Sequence, residues 1–421
     1  MDKFVIYGGR PLNGTIPISG AKNAALPIMV ATLLAPGVYR IANVPELRDV
    51  RTMAHLLRII GARVSFEGHI MQIDTRDANF PEAPYELVKT MRASIYVLGP
   101  LLARQGRARV SLPGGCAWGP RPVDLHLKGM EKLGAQLTLD RGYIEAQATK
   151  LRGAPIYLDV SSVGATGNIM MAAVLAEGET VIENAAEEPE IVDLGHFLVQ
   201  MGAQIDGLGT KTIRIQGVKA LEPTNYTIIP DRIEAGTFLV AGLITGGELT
   251  LTEVNPAHLT EVLAKLEEAG AILEIGDTTI HIKSEGEIRP ADVTTAVYPG
   301  YPTDMQAQWI ALMALASGSS VITDTIYPDR FTHVPELQRL GADIVLKNNS
   351  AFVKGVDRLI GAPVMSTDLR ASAALVLAAL AAEGRTDVHR VYHIDRGYEH
   401  IEVKLASVGA DIRREDDGKY F

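Results

Sequence analysis

The chain has 421 residues, 47% hydrophobic and 21% charged, a composition that fits a soluble globular protein with length for two or three domains. A formal charge of −10 excludes recruitment of nucleic acid or an anionic membrane by bulk charge, so an anionic ligand requires a local basic pocket. One cysteine, Cys116, excludes an internal disulfide and fits a reducing compartment, and MDKFVIYGG carries no basic and apolar export signal.

The elements can be taken in chain order. SGAKNAALP (Ser19 to Pro27) sets Lys22 and Asn23 at the mouth of an apolar helix. Free N–H groups and the positive dipole end make such a mouth an anion site, while a solvated lysine beside a capping asparagine is the plainer reading. TMRASIYVLGP puts Arg92 at the start of a second buried helix. The loop SLPGGCAWGPRPVDLHL then holds Cys116 among Gly114, Gly115, Gly119, Pro113 and Pro120, with no apolar periodicity to bury it. A thiol on a Gly/Pro loop beside Arg121 is accessible and inclined to the thiolate. ATGNIMMAAVLAEG (Ala165 to Gly178) is apolar most of the way round and belongs in a core. Leu221 to Ile229 (LEPTNYTII) is a linker candidate. Beyond it Asp231 opens DRIEAGTFLVAG, Asp304 opens the helix after YPTD, and Asp368 and Arg370 open LRASAALVLAAL. Aspartate is a favoured N-cap, and capping does not exclude chemistry. Arg396 stands in HIDRGYEH, and REDDGKYF at the end is expected to fray.

A period underlies these elements. Amphipathic helices run into Gly-Ala pairs that begin at Gly61, Gly134, Gly202, Gly270, Gly341 and Gly409, spaced by 73, 68, 68, 71 and 68 residues. In His258 to Ile275 the apolar set Leu259, Val262, Leu263 and Leu266 follows i, i+3, i+4, i+7, one face of a helix. A glycine at C′ takes the left-handed conformation and turns the chain into a strand. One α/β unit copied six times, with helices inside and strands outside, is the expected fold class. The linker divides it three plus three, and helix mouths converging between like halves are a natural ligand site. The longest apolar stretches, Ala24 to Ala35 and Ala371 to Ala382, are 12 residues each and too short to cross a bilayer. No GxxxxGK[ST], strand-linked GxGxxG, HExxH or GxSxG occurs, and His126, His389, His393 and His400 lack zinc-ligand spacing. No metal or cofactor is expected; phosphate recognition by side chains and helix mouths is what remains.

SGAKNAALP, GGCAWGPRPVDLHLKGMEKLGA, SVGATGNIMMAAVLAEGETVIENAAEEPEIVDL, PDRIEAGTFL, YPTDMQAQ, DLRASAALVLAAL and HIDRGYEHIE together closely resemble the UDP-N-acetylglucosamine 1-carboxyvinyltransferases, a family of enolpyruvyl transferases. The resemblance runs in order to about Ile412. It implies a two-domain inside-out α/β barrel with six copies of one repeat: a catalytic domain at 20–229 carrying the cysteine loop, and a discontinuous domain of 1–19 and 230–421. It also implies transfer of the enolpyruvyl group of phosphoenolpyruvate to the 3′-hydroxyl of UDP-N-acetylglucosamine, with release of phosphate, as the first committed step of peptidoglycan synthesis in the cytoplasm. A monomer or weak homo-oligomer is expected.

The resemblance assigns roles as well. Cys116 becomes the acid that protonates C3, and Asp304 the group beside the attacking hydroxyl. Lys22, Arg92, Arg121 and Arg396, with Arg370 near, become the clamp for phosphate and carboxylate. Asn23, Arg121, Pro122, Val123, Asp124, Leu125, Ser162, Val163, Gly164, Asp231, Asp304, Ile326 and Asp368 match or adjoin positions that contact substrate. Trp118, Pro120 and Val160 depart from the family pattern, in the lid and at one diphosphate contact. The alternatives are the sister transferase acting on shikimate 3-phosphate, whose family lacks the PGGCxxGxRPVDLH loop, and a non-catalytic nucleotide-sugar binder, which would have lost Lys22, Cys116, Asp304 or Arg396.

Overall fold

The computed structural model describes residues 2–112, 123–416 and 418. Twelve helices carry the repeat, two to a copy: α1 (Lys22–Ala31), α2 (Arg48–Ile60), α3 (Leu98–Gln105), α4 (Asp124–Lys132), α5 (Val163–Ala173), α6 (Pro189–Gln200), α7 (Arg232–Ile244), α8 (Thr260–Glu268), α9 (Gln306–Met313), α10 (Val334–Arg339), α11 (Leu369–Ala381) and α12 (Ile401–Ser407). The odd-numbered helices are the apolar ones. Every residue of α9, and all of α7 except Arg232, is buried, as expected of helices without a polar face. The even-numbered helices bury one stripe; α8 does so with Val262, Leu263 and Leu266. All six closing glycines take the left-handed conformation, with φ of 108°, 93°, 106°, 102°, 99° and 104° from Gly61 to Gly409.

The chain folds into two compact units, one of Met1–Ser19 with Pro230–Phe421 and the other of Gly20–Ile229. Among the described residues each unit holds three four-stranded sheets of one design. The strand after the core helix lies second in the sheet. A short strand from before that helix pairs with it in parallel, and a hairpin completes the other side. In one copy Pro155–Tyr157 is parallel to Glu179–Glu183 across α5, and Gln204–Asp206 and Thr212–Gln216 form the hairpin. Each unit has its own apolar core, one including Met29, Leu57, Leu101, Ile169 and Phe197, the other Phe4, Phe238, Trp309, Leu375 and Tyr398. The indole N–H of buried Trp309 donates to Ala291 O at 3.0 Å, so its burial leaves no polar atom unmet.

Three strands break the sequential order. Asn13–Pro17 directly precedes α1 in sequence but belongs to the unit of 1–19 and 230–421, where it pairs with Glu248–Thr252. Asn225–Thr227 precedes α7 but pairs with Val38–Ala42. Part of the expected linker is therefore a strand, because its backbone completes a sheet edge. The first strand, Asp2–Tyr7, lies between Arg385–His389 and Asp411–Asp416, filling the place of a hairpin strand. The expected fraying at the C-terminal end is likewise corrected over Arg414 to Asp416, which belong to that last strand. Arg414 ties it down through Asp395 at 2.6 Å and Glu402 at 2.8 Å.

The chain leaves the first unit at Ser19, and this point is pinned. Ser19 N–H donates to Glu234 Oε2 at 2.7 Å, and Lys404 Nζ reaches Ser19 Oγ at 2.7 Å and Glu234 Oε1 at 2.8 Å. At Gly20 a Cβ would stand 1.7 Å from Asn43 O, so only glycine fits. Among the described residues no helix is long and apolar enough to cross a membrane.

Candidate active site

In the unit of residues 20–229 the candidate residues stand at helix starts, those of core helices and of α4. Lys22 is the first residue of α1, whose N-cap Ala21 contributes no side-chain bond, so Asn23 lies inside the first turn rather than capping it. Lys22 Nζ is 3.6 Å from Asp49 Oδ2, with both side chains largely buried. Arg92 starts the 3-10 turn Arg92–Val97 that feeds α3. Ser162 caps α5, its side chain accepting from Ala165 N–H, and Val163 and Gly164 form the first turn. Val123 precedes α4, and Asp124 and Leu125 open it. Beside Leu125 lies a cavity of about 230 Å³ bounded by Lys128, Gly129, Ile156, Tyr157 and Leu158. Val160 is 63% exposed.

His126 joins these mouths. It is buried, with Nδ1 3.0 Å from Asn168 Nδ2, while Asn168 Oδ1 accepts from Gly99 N–H at 2.7 Å. That orientation makes Nδ1 the acceptor and leaves the ring hydrogen on Nε2, which faces Gly164. Burial, aided by Arg92 and opposed by Asp124, lowers the imidazole to about 4, so it is neutral at physiological pH.

In the other unit the candidates touch one another. Asp231 and Asp368 cap α7 and α11; Asp231 Oδ1 accepts from Ile233 and Glu234 N–H, and Asp368 Oδ1 from Arg370 and Ala371 N–H. Asp304 does not cap. It lies in the 3-10 turn Thr303–Met305 ahead of α9, and its carboxylate is held by two arginines. Arg370 Nη2 donates to Oδ2 at 2.7 Å and Arg330 Nη1 to Oδ1 at 2.8 Å. The Asp304 side chain is 26% exposed and those of Arg330 and Arg370 only 9% and 5%. Burial raises the Asp304 carboxyl, but the charges of Arg370 and Arg330 outweigh it and hold the group well below the usual carboxylate range. Arg370 Nη1 also donates to Tyr398 OH at 3.2 Å, which contacts Thr237 Oγ1 at 2.8 Å. Ile326 N–H is fixed on Asp324, and Arg396 ends the 3-10 turn Val391–Arg396.

Asp304 and Arg370 are thus in direct contact, with Asp231 acting on Arg370 by charge and Asp368 capping the same helix. Lys22, Asn23, Arg92, Val123 to Leu125 and Ser162 to Gly164 belong to the other unit, while Cys116, Trp118, Pro120, Arg121 and Pro122 lie outside the described residues. Arg330, Asp324 and His126 escaped the reading of the sequence as site residues. Nothing in IYPDRF marks Arg330, whereas Tyr398 stands two places after Arg396 in a string already singled out. Among the described residues no group of three or more His, Cys, Asp or Glu is arranged to hold a metal ion.

Comparison with known proteins bears on this arrangement. Residues 6–405 match the family model described as EPSP synthase (3-phosphoshikimate 1-carboxyvinyltransferase). A UDP-N-acetylglucosamine 1-carboxyvinyltransferase of Geobacter metallireducens is 56% identical over 414 residues, covering 98% of this chain and 99% of that protein. One from Nitratidesulfovibrio vulgaris is 57% identical over 415 residues, covering 98% and 99%. Among solved structures, the enolpyruvyl transferase NikO of Streptomyces tendae matches with a TM-score of 0.89 at 27% identity, covering 98% of each chain. EPSP synthase of Acinetobacter baumannii shares the fold, with a TM-score of 0.76 at 20% identity over 99% of this chain and 100% of that one. Six copies of one α/β unit, helix mouths lined with charge and full-length identity of this order lead to one conclusion: the chain is an enzyme of the UDP-N-acetylglucosamine 1-carboxyvinyltransferase family, with the enolpyruvyl transferase fold.

Proposed function

We propose that the enzyme transfers the enolpyruvyl group of phosphoenolpyruvate to the 3′-hydroxyl of UDP-N-acetylglucosamine and releases phosphate, in the cytoplasm, as the entry to peptidoglycan synthesis. The observation that carries the reading is the Asp304 carboxylate held between Arg330 and Arg370 at the mouth of α9, on a chain with full-length relatives of that name. The two units are read as its two domains, 20–229 with the cysteine loop and 1–19 with 230–421, acting as a monomer or weak homo-oligomer.

The chemistry divides among the residues as follows. C3 of phosphoenolpyruvate takes a proton, from Cys116 in this reading, while the sugar oxygen bonds to C2 and its hydroxyl proton passes by way of Asp304 to the phosphate that later departs. Restoring the vinyl group requires C3 to return a proton, to the thiolate left on Cys116 in this reading, as the C2–O bond to phosphate breaks and phosphate leaves. Lys22, Arg92, Arg121 and Arg396 hold the anionic groups and stabilise charge as it moves to departing phosphate. Asp304 is ionised but weakly basic under two guanidinium groups, so its contribution is to accept and orient the 3′-hydroxyl more than to draw off its proton. Asn23, Val123 to Leu125, Ser162 to Gly164, Asp231, Ile326 and Asp368 complete the sugar-nucleotide contacts in this reading.

The test is phosphate release against a panel of acceptors. Release is expected only when phosphoenolpyruvate and UDP-N-acetylglucosamine are both present. Release with shikimate 3-phosphate instead, or with no acceptor of the panel, overturns the reading.

A further inference from the structure

Asp324 closes the strand Ser319–Thr323 and is fully buried. Its two carboxylate oxygens have separate partners. Oδ1 accepts from Thr295 Oγ1 at 2.8 Å, Ile326 N–H at 2.9 Å and Tyr327 N–H at 2.8 Å, which sets the turn that carries Ile326. Oδ2 accepts from Thr303 Oγ1 at 2.7 Å. The hydroxyl hydrogen of Thr303 is thereby committed, and its lone pairs are left to Arg330, whose Nη1 lies 3.2 Å away. The same Nη1 donates its other hydrogen to Asp304 Oδ1 at 2.8 Å. A guanidinium has no acceptor, so the direction of every bond in this chain is determined.

We infer that Asp324 is a positioning residue for the reaction. By drawing the Thr303 hydrogen to itself it turns the Thr303 lone pairs toward Arg330, and this holds Arg330 on Asp304. Through its other oxygen it fixes the backbone of Ile326. One buried carboxylate thus aligns two groups that face the acceptor sugar nucleotide, an inference that rests on the function proposed above. The alignment reaches the substrate entirely through Thr303, Arg330 and the Ile326 turn.

An isosteric change separates the two oxygens. In Asp324→Asn the amide oxygen at the Oδ1 position keeps all three of its bonds, so the turn and the fold remain. The amide nitrogen at the Oδ2 position points a donor at Thr303 Oγ1, which then faces two donors and has no acceptor for its own hydrogen. The melting temperature should stay near the parent's. In steady-state phosphate release, kcat/KM for UDP-N-acetylglucosamine should fall ~10-fold or more, the size expected for a lost hydrogen bond to a charged group. Thr303→Val should give a similar loss, and the double variant should be no worse than either single one, since residues acting in series are not additive. Parental kinetics in Asp324→Asn, or losses that multiply in the double variant, overturn the inference. Should Asp324→Asn melt early, Thr303→Val decides alone, and parental kinetics there overturn it. An inactive parent enzyme refutes the proposed function instead, so the two failures are distinct.

Discussion

The internal repeat allows a stabilising substitution to be copied from one unit to the other. Four residues that directly follow the strand after a core helix take positive φ: Asn43 at 58°, Asn184 at 56°, Glu253 at 56° and Arg390 at 60°. Asparagine tolerates this conformation, while ordinary L-residues there cost roughly 1–2 kcal/mol. The two asparagines also gain a bond. Asn43 Nδ2 donates to Ile228 O at 2.9 Å and Asn184 Nδ2 to Leu158 O at 2.8 Å, each acceptor belonging to the residue that ends the neighbouring short strand's pairing. In both copies that residue's own N–H donates to the carbonyl of the last residue of the strand after the core helix, Ala42 or Glu183. At Glu253 the matching bond is Ile18 N–H to Thr252 O at 3.0 Å, so Ile18 O is the corresponding acceptor. Glu253→Asn should add one hydrogen bond of ~1 kcal/mol and recover part of the backbone cost, ~0.5–1 kcal/mol, for a total of about 1.5–2 kcal/mol. For a unit of this size that is a rise of roughly 3–8 °C in melting temperature. Differential scanning calorimetry of the parent, Glu253→Asn and Glu253→Gln measures it. The glutamine control carries the amide without the left-handed tolerance or the right length. If the asparagine variant melts no higher than the parent, or glutamine does as well, the equivalence of the repeats at this position is refuted.

Gly20→Ala should destabilise the unit of residues 20–229 by ~3 kcal/mol or more, because the clash is with the backbone oxygen of Asn43, which has little room to yield; urea denaturation reads it, and a parental midpoint would contradict the geometry. His126, held at about 4 against ~6.5 in an unfolded chain, leaves the folded state binding fewer protons than the unfolded one between those values. Its contribution to stability is therefore complete above ~6.5 and lost as pH falls toward 4, by up to ~3 kcal/mol. As pH is lowered from ~6.5 to ~4.5, melting temperatures should fall less steeply for His126→Gln than for the parent, and equal slopes would exclude the effect. Fosfomycin, an epoxide that alkylates the loop cysteine of this family, should leave one adduct, on Cys116, by peptide mass spectrometry; an unmodified chain would show that the thiol is not poised as proposed.

What was legible in the sequence followed from local rules. A glycine at C′ is a local code for ending a helix, so the repeat could be read directly, and all six glycines adopt the same φ region. The core helices declared themselves by lacking a polar face. Asp231 and Asp368 read correctly as caps, since capping depends on two or three residues. The rest depended on distant segments meeting. Arg330 gains its meaning only where the loop ahead of α10 brings it to Asp304, and Asp324 only where Thr295 and Thr303 close on it. LEPTNYTII looked like a linker because a three-residue strand has no periodicity of its own; its partner, Val38–Ala42, lies far away in sequence. Arg414 stands at the head of an acidic run that by composition alone is expected to fray, yet it ties Asp2, Asp395 and Glu402 together.

The placement of the first strand has an engineering consequence. In three other copies the hairpin closes with two-residue turns, across the pairs Glu67 and Ile70, Asp140 and Tyr143, and Lys347 and Ser350. Left-handed residues occupy these turns, among them Gly68, His69, Arg141, Gly142 and Asn348. The first and last strands form the same hairpin without its turn, with Asp2 directly opposite Asp416. Joining Asp416 to Asp2 through Asn-Gly would complete the sixth hairpin and make the repeat circular. New ends could then be opened at a surface turn such as Arg141 and Gly142, giving a permuted enzyme that keeps every strand pairing while synthesis starts from a different strand.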